Sequence, residues 1–256
     1  MSEQGDASGE FVQSLARGLA VIRAFDAEHA ELTLSDVARR AEVTRAAARR
    51  FLHTLVSLGY VRSDGRLFAL TPRVLELGFS YLSSLSLPEV LQPHLELLSR
   101  EVGESVSAAV LDGADIVYIA RVPARRIMSV RITIGTRFPA YATSMGRVLL
   151  AALPASARAE ALADLHPLTD RTVTDAARLA AELDRVAEQG WAVVDGELEA
   201  GLRSIAVGVR DRSDRVVAAI NVSSSATRDS VEHLVQHYLP ALVAAADRAS
   251  DELRRV

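Results

Sequence analysis

The chain has 256 residues, 49% of them hydrophobic, and its 29 basic and 33 acidic side chains give a net charge of −4. This length and composition suffice for one or two packed domains, and the absence of cysteine excludes disulfides and thiolate metal sites. The amino terminus lacks the apolar core of a signal peptide and the apolar runs are far too short to cross a bilayer, so we expect a cytoplasmic protein without a membrane partner.

Two segments precede the first informative motif. Residues 1–10 are rich in Ser, Gly, Glu and Gln, a composition that predicts a disordered tail. A helix is predicted over residues 14–25, where apolar side chains recur on one stripe at Leu15, Leu19, Ile22 and Phe25.

A short helix is predicted to follow Thr33, because Asp36 three residues later completes a capping box that satisfies free backbone N–H groups. Its apolar side chains share one face at spacings of three and four residues, at Leu34, Val37, Ala38 and Ala41. Glu42 and Val43 are predicted to form a tight turn, and Thr44 is placed to cap the next helix.

The helix after Thr44 has two chemically different faces. One arc carries Arg45, Ala46, Arg49, Arg50 and His53 with no carboxylate in the helix, and the opposite arc carries Ala48, Phe51, Leu52 and Leu55. A helix-turn-helix requires this division, because its second helix enters the major groove while its back packs on the first. Arginine suits the exposed face, since a guanidinium can bind phosphate or the acceptor edge of guanine. An ordinary solvated cationic face is the alternative.

A β-hairpin is predicted next, with strands at residues 60–62 and 67–70 around an Asp-Gly turn. Three helices and a hairpin with a basic tip form a winged helix-turn-helix over residues 11–71, which favours DNA binding over the solvated face. The acidic total charge does not oppose this, since only the docking face meets phosphate. The predicted DNA contacts are Ser35, Thr44, Arg45, Ala47, Arg49, Arg50, His53 and Arg66.

Residues 72–85 are interpreted as a linker helix that starts at Pro72 after Thr71. Its apolar side chains indicate that it packs against something, either a partner in a dimer or one of the two domains. Breakers around residues 84–88 mark a joint, and a helix is predicted over residues 89–101.

Residues 86–256 alternate β-rich runs with amphipathic helices. Strands are predicted at 106–111, 116–120, 127–134, 191–194, 202–210 and 216–222, and helices at 144–153, 155–163, 175–189 and 228–254 with a break at Pro240. Hairpin turns at 112–115 and 212–214 make the sheet mostly antiparallel. The sequence therefore predicts an α+β fold with a helix-flanked sensor domain.

The loop before residue 144 is a candidate ligand site. Small residues lead into a helix start at Ser144, where free N–H groups favour an anion, and Arg137 could add a bidentate contact to a carboxylate. A capped helix with a surface arginine is the alternative. Asn221 and Ser223 point to one face of their strand, so their polar groups need a ligand, a buried water or backbone as partner.

Two further clusters have simpler interpretations. Asp195, Glu197 and Glu199 have the spacing of a polar turn at a strand end, although paired carboxylates can also serve glycoside hydrolysis. His233 and His237 have a spacing that can bind zinc, but no third ligand and no glutamate base accompany them. No nucleotide-binding or hydrolase motif is present, so neither a cofactor, a metal nor a catalytic residue is predicted.

Several segments resemble IclR-type transcriptional regulators: SLARGLAVIRAF, LTLSDVARRAEVTRAAARRFLHTLVSLGYV, LFALTPRVLELGFSYL, IGTRFPAYATSMGRVLLAAL, DGELEAGLRSIAVGVRD and AAINVS. They agree in order and spacing from about Phe11 onward, and they look most like the branch that controls protocatechuate and β-ketoadipate breakdown. The resemblance implies a winged amino-terminal domain and a GAF-like effector-binding domain. The chain departs from the family at Ala46 and Ala47, where small hydroxyl residues are frequent, and at Glu42, where glycine is common.

The resemblance also implies a small-molecule pocket. Family pocket positions carry over onto Ile127, Val130, Phe138, Ser144, Met145, Leu202, Ser204, Asn221 and Ser223, with Asp195 at the border, and Arg137 completes the predicted ligand set. The implied function is ligand-responsive binding of double-stranded operator DNA by a homodimer, or a dimer of dimers, with an aromatic or dicarboxylic acid as effector. An enzyme that converts a small acid, with an amino-terminal interaction module, and a constitutive architectural DNA binder are the alternatives.

Overall fold

The computed structural model describes residues 11–26, 28–77, 87–124 and 132–255. The chain divides into two compact units, Met1–Ser84 and Leu85–Val256. The predicted tail, residues 1–10, and residues 78–85 of the predicted linker helix lie outside the described residues. Within the described ranges, no helix is both long and apolar enough to traverse a lipid bilayer.

The first unit is a winged helix-turn-helix. Its elements are α1 (Gln13–Arg23), β1 (Glu31–Thr33), α2 (Leu34–Arg40), α3 (Arg45–Ser57), β2 (Val61–Ser63) and β3 (Leu67–Leu70). The strands form an antiparallel sheet in the order β1-β3-β2, in which β2 and β3 are the predicted hairpin. Strand β1 was not predicted, because its three residues are too few to show alternation.

Hydroxyl caps place α2 and α3 as the sequence predicts. Thr33 Oγ1 accepts a hydrogen bond from the Asp36 N–H at 3.3 Å and donates one to Asp36 Oδ2 at 2.6 Å. Thr44 Oγ1 accepts from the Ala47 N–H at 3.2 Å. Between the helices, Glu42 has a φ of 52°, a left-handed conformation that suits glycine better than a residue with a Cβ.

The linker segment begins with a capped turn. Thr71 Oγ1 accepts from the Arg73 N–H at 3.3 Å, and Pro72–Val74 form a 3-10 helix, the start that the sequence predicts at Pro72.

The second unit is built on a six-stranded antiparallel sheet in the order β6-β5-β4-β9-β8-β7. The strands are β4 (Ser105–Asp112), β5 (Asp115–Val122), β6 (Arg137–Pro139), β7 (Trp191–Asp195), β8 (Leu202–Arg210) and β9 (Val216–Ser225). The helices are α4 (Leu87–Val102), α5 (Ser144–Ala151), α6 (Ala155–Ala161), α7 (Ala176–Gln189) and α8 (Leu239–Leu253).

Helices cover both faces of this sheet. Consecutive residues are buried along β8 from Ser204 to Val207 and along β9 from Ala218 to Ser224, which requires packing on either side. Helices α4 and α8 contact each other and the strands β4, β5 and β8, whereas α5 and α7 pack in a separate core cluster with Ala109, Tyr118, Ala206 and Ala219. Gly146 lets α5 approach closely, because a Cβ there would meet the Ala140 carbonyl oxygen at 2.1 Å.

Two predicted elements differ from the structure. Residues 127–131 of the predicted strand lie outside the described residues, and residues 132–134 form no strand; Thr133 bonds to Thr136 in a turn before β6 instead. The predicted break at Pro240 is a π-helical turn, Leu234–Tyr238, between the short turn Val231–His233 and α8. Proline has no N–H to donate within a helix, so the local hydrogen-bond pattern changes around it.

Candidate functional site: a DNA-reading surface and a small cavity

Helix α3 presents its cationic side chains outward. Ala48, Leu52 and Leu55 are buried at spacings of four and three residues, while Arg45, Arg49, Arg50 and His53 are exposed. Helix α3 therefore packs with one face and leaves the predicted DNA-reading face open.

The arginines of the first unit fall into two groups. Some are neutralised by acidic neighbours, in the pairs Arg39–Asp36, Arg40–Asp26, Arg62–Glu31 and Arg73–Glu76. Within the described ranges, Arg45, Arg49 and Arg50 have no such partner. Their charge is therefore available to an external anion, which is what contact with phosphate or a guanine edge requires.

Five of the predicted DNA contacts line one surface groove. This wing groove lies between α3, the start of α2 and the β2–β3 hairpin, and its polar lining includes Ser35, Arg45, Arg49, His53 and Arg66. The hairpin tip is held by Asp64, whose Oδ1 accepts from the Arg66 N–H at 2.9 Å and the Leu67 N–H at 2.7 Å. These bonds lower the pKa of Asp64, led by the one from Leu67.

The other three predicted contacts lie elsewhere. Thr44 caps α3 and does not line the wing groove. Ala47 and Arg50 line a second groove on the α1 side of α3. Arg17 of α1 lines it as well, a residue that the apolar stripe of α1 does not include and that no sequence motif marks.

The second unit contains a small cavity between the sheet and the start of α5. It is lined by Tyr118, Ile132, Ala142, Thr143, Val194, Leu198, Leu202, Ser204, Asn221 and Ser223. The space open to the centre of a water molecule is about 10 Å³, enough for about one water. The cavity brings together four predicted ligand residues, Leu202, Ser204, Asn221 and Ser223, and adds Tyr118, Thr143 and Leu198.

Neutral polar groups converge on this cavity. Ser144 Oγ and Ser204 Oγ share a hydrogen bond of 2.8 Å, and Asn221 Nδ2 donates to Ser223 Oγ at 3.0 Å. Asn221 is 4% exposed, and its Oδ1 has no hydrogen-bond donor among the described residues. A buried carbonyl without a donor is costly, so this atom marks where a ligand donor would be stabilised.

Aromatic and apolar side chains support the wall. The Tyr118 ring meets Phe138 edge-on, with centroids 5.9 Å apart, and burial raises the pKa of Tyr118 to about 12. Its hydroxyl is therefore a neutral group at physiological pH. Met145 belongs to the core cluster that contains Tyr118 and Phe138 packs against that cluster, so both support the wall without lining the cavity.

Two predicted ligand residues are used in ion pairs away from the cavity. Arg137 is exposed on the edge strand β6, where Asp112 and Asp115 bind its guanidinium, and the hydrogen bond that it donates to Asp112 leads in raising the pKa of Arg137. Asp195 binds Arg203 at 2.8 Å and Arg171 at 2.6 Å, and the Arg203 hydrogen bond leads in lowering the pKa of Asp195. Neither is among the cavity-lining residues.

The remaining candidate residues either lie outside the described residues or are held by contacts within the protein. Ile127 and Val130 lie outside the described residues. Glu197 Oε2 binds the buried Arg147 at 2.5 Å, as expected for a structural carboxylate. The rings of His233 and His237 stack with centroids 4.3 Å apart.

Comparison with known proteins gives matches over both units. A model of the IclR helix-turn-helix domain matches residues 14–65, and a model of the bacterial transcriptional regulator IclR C-terminal domain matches residues 79–251. The chain is 49% identical over 240 residues to the Pca regulon regulatory protein of Pseudomonas putida, a match that covers 93% of this chain and 82% of that protein.

Two solved structures are similar along their whole length. A transcriptional regulator from Rhodococcus sp. RHA1 is 58% identical with a TM-score of 0.85, over 95% of this chain and 98% of that one. An IclR homolog from Microbacterium hydrocarbonoxydans in complex with 4-hydroxybenzoate is 28% identical with a TM-score of 0.86, over 95% of this chain and 100% of that one.

Proposed function

The chain belongs to the IclR family of bacterial transcriptional regulators, and from this we propose that it binds operator DNA through residues 11–71 and a small aromatic acid through residues 86–256. We propose that residues 72–85 act as the linker between the two. As a member of a regulator family the chain is no enzyme, so the acid-converting alternative is set aside. A constitutive architectural DNA binder is an outcome that the experiment below separates.

The observation that carries the DNA-binding proposal is the unpaired cationic face of α3. Arg45 and Arg49 share the wing groove with Arg66, and no carboxylate lines that groove among the described residues. Three other exposed arginines of the first unit, Arg39, Arg62 and Arg73, have acidic partners. Arg45, Arg49 and Arg66 therefore leave unneutralised positive charge where a recognition helix and a wing meet the duplex.

The effector proposal is supported by the cavity chemistry. Serine hydroxyls and Asn221 are neutral, hydrogen-bonding groups, and Val194, Leu198 and Leu202 supply hydrocarbon. A site with polar groups at one end and apolar walls suits a small acid with an unsaturated or aromatic body. The leading candidates are protocatechuate, 4-hydroxybenzoate and β-ketoadipate; one similar protein is a Pca regulon regulator and another was solved with 4-hydroxybenzoate.

Asn221 favours the two hydroxylated acids among these three. Its Oδ1 lacks a donor, and a phenolic hydroxyl supplies one, whereas an ionised keto-dicarboxylate has only acceptors. Binding sites built around a substrate hydroxyl discriminate strongly against analogues that lack it, because the protein group is then left unpaired.

Residues near Ser144 contribute in two ways. Ser144 bonds to Ser204 at 2.8 Å. Thr143, a cavity-lining residue, caps α5 by accepting from the Gly146 N–H at 3.0 Å, so the positive end of the helix dipole lies beside the cavity and favours a carboxylate. The cavity has room for about one water, so the side chains that line it have to move apart before an aromatic acid fits. The proposed contact set keeps Leu202, Ser204, Asn221 and Ser223 at its centre, and adds Tyr118.

The test is binding of DNA with and without ligand. A duplex selected by the full-length protein from a random pool serves as operator, and each acid is titrated by calorimetry and then added to the DNA titration. We expect one hydroxylated acid to bind and to change operator affinity by about 1–3 kcal/mol. No heat with any of the three acids contradicts the choice of ligand, and affinity that is equal for all duplexes and unaffected by ligand indicates an architectural DNA binder.

A matched pair of variants tests the cavity itself. Asn221→Leu removes the unpaired carbonyl and is expected to abolish the ligand response while leaving DNA affinity without ligand unchanged. Ser224→Ala, on the opposite face of the same strand, is expected to respond like the wild type. An intact response in Asn221→Leu contradicts the placement of the ligand.

A further inference from the structure

The groove on the α1 side of α3 is a second concave surface of the first unit. This helix groove is lined by Gln13, Ser14, Arg17, Ala47, Arg50, Phe51 and Thr54. Its α1 residues are 13, 14 and 17, and its α3 residues are 47, 50, 51 and 54. Spacings of three and four residues place each set on one side of its helix. The groove is thus the valley between two facing helix stripes.

The helix groove is cationic and unneutralised. Arg17 and Arg50 are both exposed, and neither guanidinium has an acidic or hydrogen-bonding partner within the described ranges. Among the described residues no carboxylate lines it, and its neutral polar members are Gln13, Ser14 and Thr54, of which Thr54 donates its hydroxyl to the Arg50 carbonyl at 3.0 Å. Two free guanidiniums beside neutral donors form a surface that suits phosphate oxygens.

The two grooves lie on opposite flanks of α3. At about 100° per residue, the wing-groove residues of α3 span an arc of about 80° measured from Arg45, whereas the helix-groove residues lie between about 140° and 240°. His53 belongs to the first arc, and Arg50 and Thr54 belong to the second. The exposed crest of the helix separates them.

The dimensions of DNA give these two flanks a meaning. A helix with its side chains is about 10–12 Å across, and the major groove of B-DNA is about 12 Å wide. A helix seated in that groove consequently has one sugar-phosphate backbone on each side. Both flanks of α3 then meet phosphate, and each backbone belongs to a different strand.

From this geometry we infer that Arg17 and Arg50 bind the phosphate backbone of the strand opposite to the one that the wing groove contacts. Arg17 reads no base; it positions the recognition helix across the width of the groove. This inference rests on the proposed DNA-binding function and adds a contact from α1 that the helix-turn-helix itself does not contain.

The first experiment compares two arginines of α1. In the full-length protein, Arg17→Ala is measured on the selected operator and on an unrelated duplex over a range of salt concentrations. We expect affinity to fall by a similar factor on both duplexes, on the order of tenfold at low salt, with the slope of log affinity against log salt flatter by about one unit. Arg23→Ala is the control, because Arg23 lies at the end of the same helix and lines neither groove.

The second experiment identifies the strand. Operators in which single phosphates are replaced by neutral methylphosphonates are titrated with the wild type, Arg17→Ala and Arg66→Ala. Neutralising a phosphate that Arg17 binds should lower the affinity of the wild type but leave the affinity of Arg17→Ala unchanged. The same comparison with Arg66→Ala identifies the phosphate that Arg66 binds. We expect the phosphates of Arg17 and Arg66 to lie on opposite strands.

Several outcomes decide the inference. The inference is overturned if Arg17→Ala binds DNA as tightly as Arg23→Ala. It is also overturned if Arg17→Ala loses affinity for the operator alone with an unchanged salt slope, or if the phosphates bound by Arg17 and Arg66 lie on the same strand. Equal thermal midpoints show that the variants fold, and Arg17→Gln replaces Arg17→Ala if they differ. Failure of the wild type to bind any duplex would instead contradict the proposed function.

Discussion

Individual arginines show how far side-chain roles follow from local sequence. Arg45, Arg49 and Arg50 are exposed because the helical period places them opposite Ala48 and Leu52, and that period is visible in a short window. Arg137 differs, since its partner Asp112 lies 25 residues away in β4 and is brought close by the pairing of β4 with β5 and of β5 with β6. Its position next to a glycine-rich loop suggested a ligand contact that its ion pairs do not support.

Replacing Arg49 tests the reading face. Arg49→Ala should weaken operator binding by about 1–3 kcal/mol with relaxed specificity if the guanidinium reads a base. If it binds phosphate, the loss should be similar on every duplex and the salt dependence flatter. Arg39→Ala is the control, because Arg39 is exposed but paired with Asp36. Fluorescence anisotropy with two duplexes measures the affinities of both variants. Unchanged affinity in Arg49→Ala would show that Arg49 is not part of the DNA interface.

The pKa of Asp195 predicts a pH dependence of stability. Hydrogen bonds from Arg203 and Arg171 hold this pKa below its usual value, so the carboxylate stabilises the fold above the unfolded pKa of about 3.9 and loses this effect as pH falls through the lower folded pKa. Asp195→Asn should therefore unfold at lower urea concentration than the wild type at pH 7, and the gap should shrink in strong acid. A gap that is constant with pH contradicts the ion-pair interpretation.

Helix α5 is buried along its whole length in the second unit. Every residue from Ser144 to Ala151 is buried, including Arg147, which is 1% exposed. Arg147 donates to the Tyr141 carbonyl at 2.8 Å and to Glu197 at 2.5 Å, and also binds Glu182. One buried cation thereby joins α5 to α7 and to the loop that carries Leu198 of the cavity wall.

Removing one member of this buried group should be costly. Glu197→Gln leaves Arg147 without one of its two carboxylates, and breaking a buried pair costs about 3–5 kcal/mol. Glu96→Gln is the control, since its partner Arg100 is exposed and such pairs contribute about 0.3–0.5 kcal/mol. Urea denaturation measures both free energies of unfolding. Equal losses in the two variants would show that Glu197 is not needed to hold Arg147.

Elements were predictable from sequence to the extent that their signal is local. The period of α3, the Asp-Gly turns and the cap at Thr44 lie within a few residues of the structure they specify. The three-residue strand β1 and the cavity residues Tyr118 and Leu198 depend on partners distant in sequence, so no short window contains them. The pocket positions taken from the family supplied Ser204, Asn221 and Ser223, and the residue pattern alone supplied only the shared face of the last two.

For the whole molecule, we expect a homo-oligomer. One winged domain covers a short half-site, and specificity normally requires two recognition helices spaced by about one turn of DNA. We expect light scattering to give at least a dimer at micromolar concentration, and footprinting to give a palindromic or repeated site. A monomer both with and without DNA contradicts this expectation.

The tight cavity has a consequence for the timing of the response. With room for about one water between Val194, Leu198 and Asn221, an aromatic acid cannot enter until these walls separate. The association rate should therefore reach a plateau as ligand concentration rises, and the plateau is the rate at which the walls part. Stopped-flow fluorescence of Trp191, the single tryptophan and a residue of the same strand as Val194, measures it. A regulator built this way registers a rise in its effector no faster than its own side chains move.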